Sequence, residues 1–327
     1  MKSSVIRVLA GALSLVLIGL YAQPSQAQSR YPDRVVKIIV PLAPGGGSDT
    51  LSRLIAAKLS EKTQGQFIVE NRPGSGTIVG TRAVTMADPD GYTLLMAQTS
   101  LTISAAINPN LPYNIERHLT PIINIALGPN GLSVHSSVPA QTLPEFIAYA
   151  KANPGKLSYS SAGVGTASHM GMELLKAMTG IDMVHVPTRG TGPAMVDLLG
   201  GQVQAMLGSL PVMLPEQRNG RIRLIATAER KRSAWTPDLP TVEEAGFPGF
   251  ESGNWTGLLG PANLDPEIVA TLNKHIVEIL NTPEMKERLF AIGFESVGSQ
   301  PAEFGATIRR DIERWTETGK RASVRVQ

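Results

Sequence analysis

The sequence predicts an α/β fold in two lobes, on three observations. Beyond residue 33, short β-branched apolar runs alternate with amphipathic helical stretches, the pattern of sheets covered by helices. At 327 residues the chain is long for a single doubly wound sheet. Glycine and proline break it at Gly128-Pro129 and again at Phe247-Pro248-Gly249, as expected where a chain crosses from one lobe to the other and back.

Taken in order, the first 27 residues read as an export leader. Lys2 and Arg7 make a basic start, Val8 to Leu20 is nearly all apolar, and Ser25-Gln26-Ala27 offers small residues for cleavage. That apolar run is shorter than the roughly 20 residues a membrane-spanning helix needs. Arg34 to Val40 follows as a strand and Thr50 to Lys62 as a helix, with Leu51, Leu54, Ile55 and Leu59 on one face at helical spacing. Further strands are expected at 67–69, 93–97, 122–127, 157–160, 183–186, 203–207 and 223–227, with a last one near 256–260. Thr142-Leu143-Pro144-Glu145 opens a helix as a capping box with proline just inside, and Asn153-Pro154-Gly155 closes it. Gly180 and Gly293 stop two others. Asp265-Pro266, Thr282-Pro283 and Pro301 each begin a helix, so the tail is helical. The expected division is a leader at 1–27, lobe one from 28–128 and 250–327, and lobe two from 129–249. No sequence repeat relates the two lobes.

Composition removes several classes of function. With no cysteine, the chain carries no disulfide, lipoprotein anchor, thiolate nucleophile or cysteine-based zinc site. Removing Lys2 and Arg7 takes the formal charge from +3 to +1. Arg230-Lys231-Arg232 is a short solvated group with no interleaved aromatics, so nucleic-acid binding is not expected. There is no Gly-x-Ser-x-Gly elbow and no His-Glu-x-x-His helix, and His118, His135, His169, His185 and His275 lack metal-ligand spacing. No enzyme, metal or cofactor is expected.

What remains is a set of glycine- and hydroxyl-rich turns between strands and helices. Pro44, Gly45, Gly46, Gly47, Ser48 and Asp49 follow the first strand. Glycines let the main chain approach a ligand, and free N–H groups at a helix start attract an anion or a carbonyl oxygen. The same residues also suit a plain turn capped by Ser48 or Asp49. A phosphate loop would end in Gly-Lys-Ser/Thr, which is absent, and Asp49 would repel a multiply charged anion unless its side chain turned away to cap. A second such loop, Ser160 to Ser168, precedes a helix with Met170, Leu174, Leu175 and Met178 on one face. A third, Pro187 to Gly192, precedes a helix expected to start at Pro193. Ligands of α/β sheets bind at strand carboxyl ends, so one loop per lobe would face the other across a cleft. Arg189 could clamp a carboxylate or simply pair with water or Asp197. His169 could donate to a ligand, although a hydrated side chain is the simpler reading there.

Tyr31-Pro32-Asp33-Arg34, Ile38-Ile39-Val40-Pro41, Ala43-Pro44-Gly45-Gly46 and Asp49 resemble the opening of the tripartite tricarboxylate transporter solute receptors, also called Bug receptors. Glu70-Asn71-Arg72-Pro73-Gly74, Asp90-Gly91-Tyr92-Thr93-Leu94, His185-Val186-Pro187 and Asp197-Leu198-Leu199-Gly200-Gly201-Gln202-Val203 match that family's pattern in order. The resemblance covers essentially the whole chain beyond the leader. It implies a periplasmic-binding-protein clamshell of type II character, each lobe a mixed sheet flanked by helices, that works as a periplasmic monomer. It implies a small carboxylate ligand, delivered to a membrane permease. A sensor for a signalling protein and a hydrolase remain the alternatives. The contacts it implies are Pro44 to Asp49, Ser160, Ser161, Gly165, Thr166, Ala167, Ser168, Arg189 and Gly190, joined by Gln98, Thr99 and Ser100. Leu207, Gly208 and Ser209 stand where the family often has an aromatic and an aspartate, and Thr188-Arg189 where Tyr-Lys is common. Losing an acid and gaining a guanidinium would shift preference from amino-group ligands to plain carboxylates.

Overall fold

The structure, a computed structural model, describes residues 31–74, 77–322 and 324. The expected leader at 1–27 lies outside the described residues. From Arg34 onward the chain builds two mixed sheets.

The first sheet holds β1 (Val36–Val40), β2 (Phe67–Asn71), β3 (Thr93–Gln98), β4 (Leu119–Gly128), β10 (Asn254–Pro261) and β11 (Glu295–Ser296), ordered β11-β4-β10-β3-β1-β2. The second holds β5 (Asn130–His135), β6 (Leu157–Ser161), β7 (Met183–Pro187), β8 (Ala205–Ser209) and β9 (Ile222–Thr227), ordered β7-β6-β8-β5-β9. In each, three strands run parallel and a fourth, antiparallel strand separates them from a fifth. β5 and β10 fill the same place in their sheets, and both come directly after a crossing between lobes. The lobes thus share a topology that no sequence repeat reveals, because it constrains only where strands go and which faces are apolar.

Lobe one carries α1 (Gly47–Thr63), α2 (Ile78–Thr85), α3 (Ser100–Ile107) and α4 (Ile115–His118). Lobe two carries α5 (Leu143–Ala152), α6 (Ala167–Thr179), α7 (Thr191–Leu199) and α8 (Leu210–Arg218). The tail returns to lobe one as α9 (Pro266–Leu280), α10 (Pro283–Ala291) and α11 (Pro301–Arg321). Leu51, Ile55 and Leu59 of α1 are buried as the periodicity predicts, with Leu54 half-buried. The Thr142 hydroxyl accepts from the Glu145 amide, while the Glu145 carboxylate reaches back to the Gln141 amide.

Several expectations need correction. Helix α1 begins at Gly47, so Gly47, Ser48 and Asp49 are its first turn, and α7 begins two residues before Pro193. The break at Gly128-Pro129 is followed at once by β5, which the sequence reading missed. Its Asn130-Gly131 start carries no strand propensity and is held by pairing on both sides. Helices α2, α3 and α8 were also missed: the first two have eight residues each, and Pro215 lies inside the third.

Most of lobe two's apolar residues pack on one side or the other of its sheet, around Phe146, Tyr159 and Phe250 or around Met195, Met206 and Met213. A small cluster joins the lobes: Ile103 and Ile107 of α3 and Trp315 of α11 bury Met170 of α6. Met170 is therefore inter-lobe, whereas Met172 and Leu175 of the same helix belong to lobe two's core. Gly171 lets α6 lie against the second crossing, since a Cβ there would overlap Leu207 and Ser252. The Ser252 hydroxyl donates to the Ala167 carbonyl at 2.9 Å.

Candidate functional site

A cavity of about 600 Å³ lies where the carboxyl ends of both sheets meet the crossings. Helix starts from both lobes line it: Thr77 and Ile78 at α2, Ser100 and Ser104 on α3, Gly165 to Ser168 at α6, and Thr191 at α7. Asn130 and Asn254, the first residues of β5 and β10, contribute from the crossings, with Gln98, Gly208 and Ser209 from the ends of β3 and β8. Leu42, Ile107 and Val164 supply apolar surface. Among the described residues, no charged side chain lines it. A ligand's charge would meet backbone amides, hydroxyls and carboxamides, with the positive ends of helix dipoles behind them.

The lobe-two loop is braced from within. The Thr166 hydroxyl caps α6 by accepting from the His169 amide and itself donates to the Gly163 carbonyl at 2.7 Å. The Ser168 hydroxyl accepts from the Ala162 amide at 3.0 Å. Gly165, at φ +75°, takes a left-handed turn that presents its backbone to the cavity wall, and its amide donates to His169 Nδ1 at 3.2 Å. The amides of Ala167 and Ser168 come too early in α6 for an intrahelical acceptor. A carboxylate oxygen suits them.

His169 corrects the sequence reading. It is 4 % exposed and stacks on His185 with ring centroids 4.0 Å apart, and His185 in turn stacks on Tyr159 at 4.8 Å. Histidines 16 residues apart in sequence meet because α6 and β7 fold back on β6. Burial, with His169 and Lys176 nearby, lowers the His185 pKa to about 3, and burial lowers that of His169 as well. Both rings are neutral near pH 7, and His169 supports the cavity wall through Gly165. The Ser161 hydroxyl lies 2.7 Å from His185 Nε2, and the Ser160 hydroxyl donates to the Ala194 carbonyl. Both serines are fully buried behind the cavity.

Pro44 to Asp49 do not line this cavity, although Leu42 of the same turn does. Gly45 and Gly46 have open space where a Cβ would stand. The Asp49 side chain turns inward, accepting from the Gly45 amide at 3.0 Å, from Arg53 and from Asn71 Nδ2 at 3.0 Å. Burial opposes its charge, but these hydrogen bonds outweigh it and hold its pKa below the ordinary value. Asn71 also donates to the Leu42 carbonyl, so the Glu70-Asn71-Arg72 segment buttresses the first loop. Thr99 is fully buried between β3 and the second crossing, donating to the Gly253 carbonyl and accepting from the Trp255 amide. Arg189 is exposed, makes no hydrogen bond or ion pair among the described residues, and lies outside the cavity wall together with Gly190.

Of the expected residues, the cavity thus gathers Gln98, Ser100, Gly165, Thr166, Ala167 and Ser168. The sequence reading missed Thr77, Asn130 and Asn254, and named Thr191 in the third loop and Ser209 beside the family pattern without counting either as a contact. Thr77 follows the glycine-rich sequence Gly74-Ser75-Gly76, a fourth sequence of the sought kind between a strand and a helix, and the two asparagines begin the crossing strands. A larger groove of about 1070 Å³ runs between α9 and α11, at the opposite end of β4 from the crossing. No group of three or more metal-ligating side chains is found among the described residues.

Residues 51–322 match the sequence profile of the tripartite tricarboxylate transporter family receptor. The chain belongs to this family. Among solved structures, this receptor is similar to Rpa4515 of R. palustris with adipate, at 33 % identity and TM-score 0.78, covering 90 % of this chain and 99 % of that one. MatC of Rhodopseudomonas palustris with bound malate follows at 32 % identity and TM-score 0.74, over 88 % and 99 %. The periplasmic binding protein BugD stands at 31 % identity and TM-score 0.75, over 91 % and 100 %. The two-lobed fold read from the sequence is the fold of these periplasmic binding proteins. No helix among the described residues is long and apolar enough to cross a membrane.

Proposed function

We propose that this receptor captures a small carboxylate between its lobes in the periplasm and delivers it to a membrane permease of the tripartite tricarboxylate type, as a monomer without catalysis or cofactor. The observation that carries the reading is a cavity walled by helix starts from both lobes and, among the described residues, free of charged side chains. Adipate and malate in the related proteins support the carboxylate class. The lobes divide at 128 and 249. Ala167 and Ser168 hold the carboxylate through their amides, with Gln98, Asn130 and Asn254 closing on it from the other lobe and the crossings.

A micromolar ligand requires about 8 kcal/mol. Three or four charge-assisted hydrogen bonds at about 1.5–3 kcal/mol each reach that figure. With no cation in the wall among the described residues, amides and hydroxyls supply these bonds, and lobe closure strengthens them by excluding water. Arg189, outside the wall, acts by drawing anions toward the mouth.

The test is thermal shift of purified, refolded protein against mono-, di- and tricarboxylates, amino acids and neutral analogues. A selective rise for one carboxylate class, with no product formed, supports the reading. A rise for neutral sugars or amines alone, or turnover of a bound acid, overturns it.

A further inference from the structure

The two faces of the cavity differ in how their hydroxyls are used. On the lobe-two side Thr166 and Ser168 are engaged within their own loop. Two lobe-one hydroxyls are not. Thr77 is 5 % exposed and lines the cavity, yet its buried Oγ1 has no hydrogen-bond partner among the described residues; Ser100 Oγ is in the same condition. Many buried hydroxyls elsewhere are satisfied locally, as those of Ser52, Thr63 and Thr179 are by donating to the carbonyl four residues back; others without a partner among the described residues, such as those of Ser48, Thr227 and Thr256, lie away from the cavity, whereas Thr77 and Ser100 line it.

Thr77 is also held in an unusual conformation. A threonine that caps a helix does so from extended backbone, its oxygen accepting an early amide of the helix. Thr77 precedes α2 at φ +84°, ψ −6°, and its side chain makes no cap hydrogen bond. A left-handed backbone is unfavourable for a β-branched residue. Such strain, persisting beside a binding cavity, suggests a functional constraint. The side chain forgoes its ordinary capping role, and of the early amides of α2 that of Val79 turns instead to the Gly74 carbonyl at 3.4 Å. Ser100 opens α3 in the same wall.

We infer that Thr77 and Ser100, with the start of α2, form a second oxygen-binding subsite that takes the far carboxylate of a diacid whose near carboxylate lies on α6. This rests on the carboxylate reading above and deepens it. Hydroxyls and helix-start amides donate to an acceptor, and the positive end of α2 favours an anion over an ammonium. Leu42, Ile78 and Ile107 line the same cavity and suit a methylene chain between two polar ends.

The test compares straight-chain diacids of four to eight carbons with monoacids of equal length by calorimetry on refolded protein. At least one diacid should bind tenfold or more tighter than its monoacid. Thr77→Val keeps the β-branched shape and removes the hydroxyl. It should weaken that diacid about ten- to a hundredfold while leaving the monoacid within twofold. Ser100→Ala should act in the same sense and serves alone if Thr77→Val does not fold. Equal binding of diacids and monoacids, equal weakening of both, or no effect of either substitution overturns the subsite and leaves the carboxylate reading standing. Failure of every mono- and diacid to bind overturns both.

Discussion

Glu229 offers the sharpest test of how the crossings are built. It follows β9 at the start of the second crossing and is 5 % exposed. Its Oε1 accepts from the Asn130 amide of the first crossing at 2.6 Å, and its Oε2 has no partner among the described residues. Burial, with the Glu295 carboxylate adding to it, pushes its pKa from 4.5 up to about 8 against the hydrogen bonds it accepts. Between these two pH values the native carboxyl keeps a proton that the unfolded one has released, so stability is fully present below about pH 4.5 and falls as pH rises toward 8. The gap corresponds to about 5 kcal/mol at about 1.4 kcal/mol per pH unit. About 1 kcal/mol of it falls between about pH 7 and 8, where His169 and His185 are largely neutral in both states. Glu229→Gln keeps an acceptor for the Asn130 amide and removes the titration. Urea midpoints read by tryptophan fluorescence should fall across that window in the parent and stay level in Glu229→Gln, which should be the more stable at pH 8. Parallel curves, or a parent that stays level, would refute the assignment.

Other outcomes follow from the same physics. The lowered pKa values of His169 and His185 mean that unfolded chains take up protons below about pH 6.5 that the native rings refuse. Stability should therefore fall on acidification, and His185→Gln should flatten that limb of the midpoint-against-pH curve. Gly171→Leu drives a side chain into Ser252 and Leu207 and should cost about 1–3 kcal/mol or more in denaturant titration. Asn71→Ala leaves Asp49 and the Leu42 carbonyl each short of a donor and should cost about 1–3 kcal/mol. Arg189→Ala should weaken carboxylate binding less than about threefold at low salt, with the difference vanishing near 0.5 M salt in calorimetry; a persistent tenfold loss would make it a direct contact.

The sequence exposed features that rest on local rules. Apolar period, capping residues and glycine stops place most strands and helices, and the glycine-rich turn at 163–168 is found where a wall of the cavity stands. What it hid is what depends on distant neighbours. Asn130 and Asn254 reach the cavity because each begins a strand that enters the opposite sheet, which no local spacing announces. The engagement of Ser160, Ser161 and Thr99 in the scaffold depends on partners 24 to 154 positions away, or on a helix carbonyl beyond the next strand. Their residue types fit a ligand contact equally well. His169 misled for the same reason, since the ring that covers it belongs to another strand.

Strand β10 lies between β3 and β4, antiparallel to both. All five strands of lobe two lie between residues 130 and 227, whereas the first sheet lacks an inner strand until residue 261 is available. A chain emerging amino-end first can therefore finish its middle lobe while its opening lobe is still split, with two long edges of unpaired backbone facing the missing strand. Chains that stop short of residue 254 would leave those edges open to strands of other molecules. Premature termination there should give aggregation instead of a smaller soluble receptor, and a separately supplied fragment covering 254–327 should rescue solubility by filling the gap.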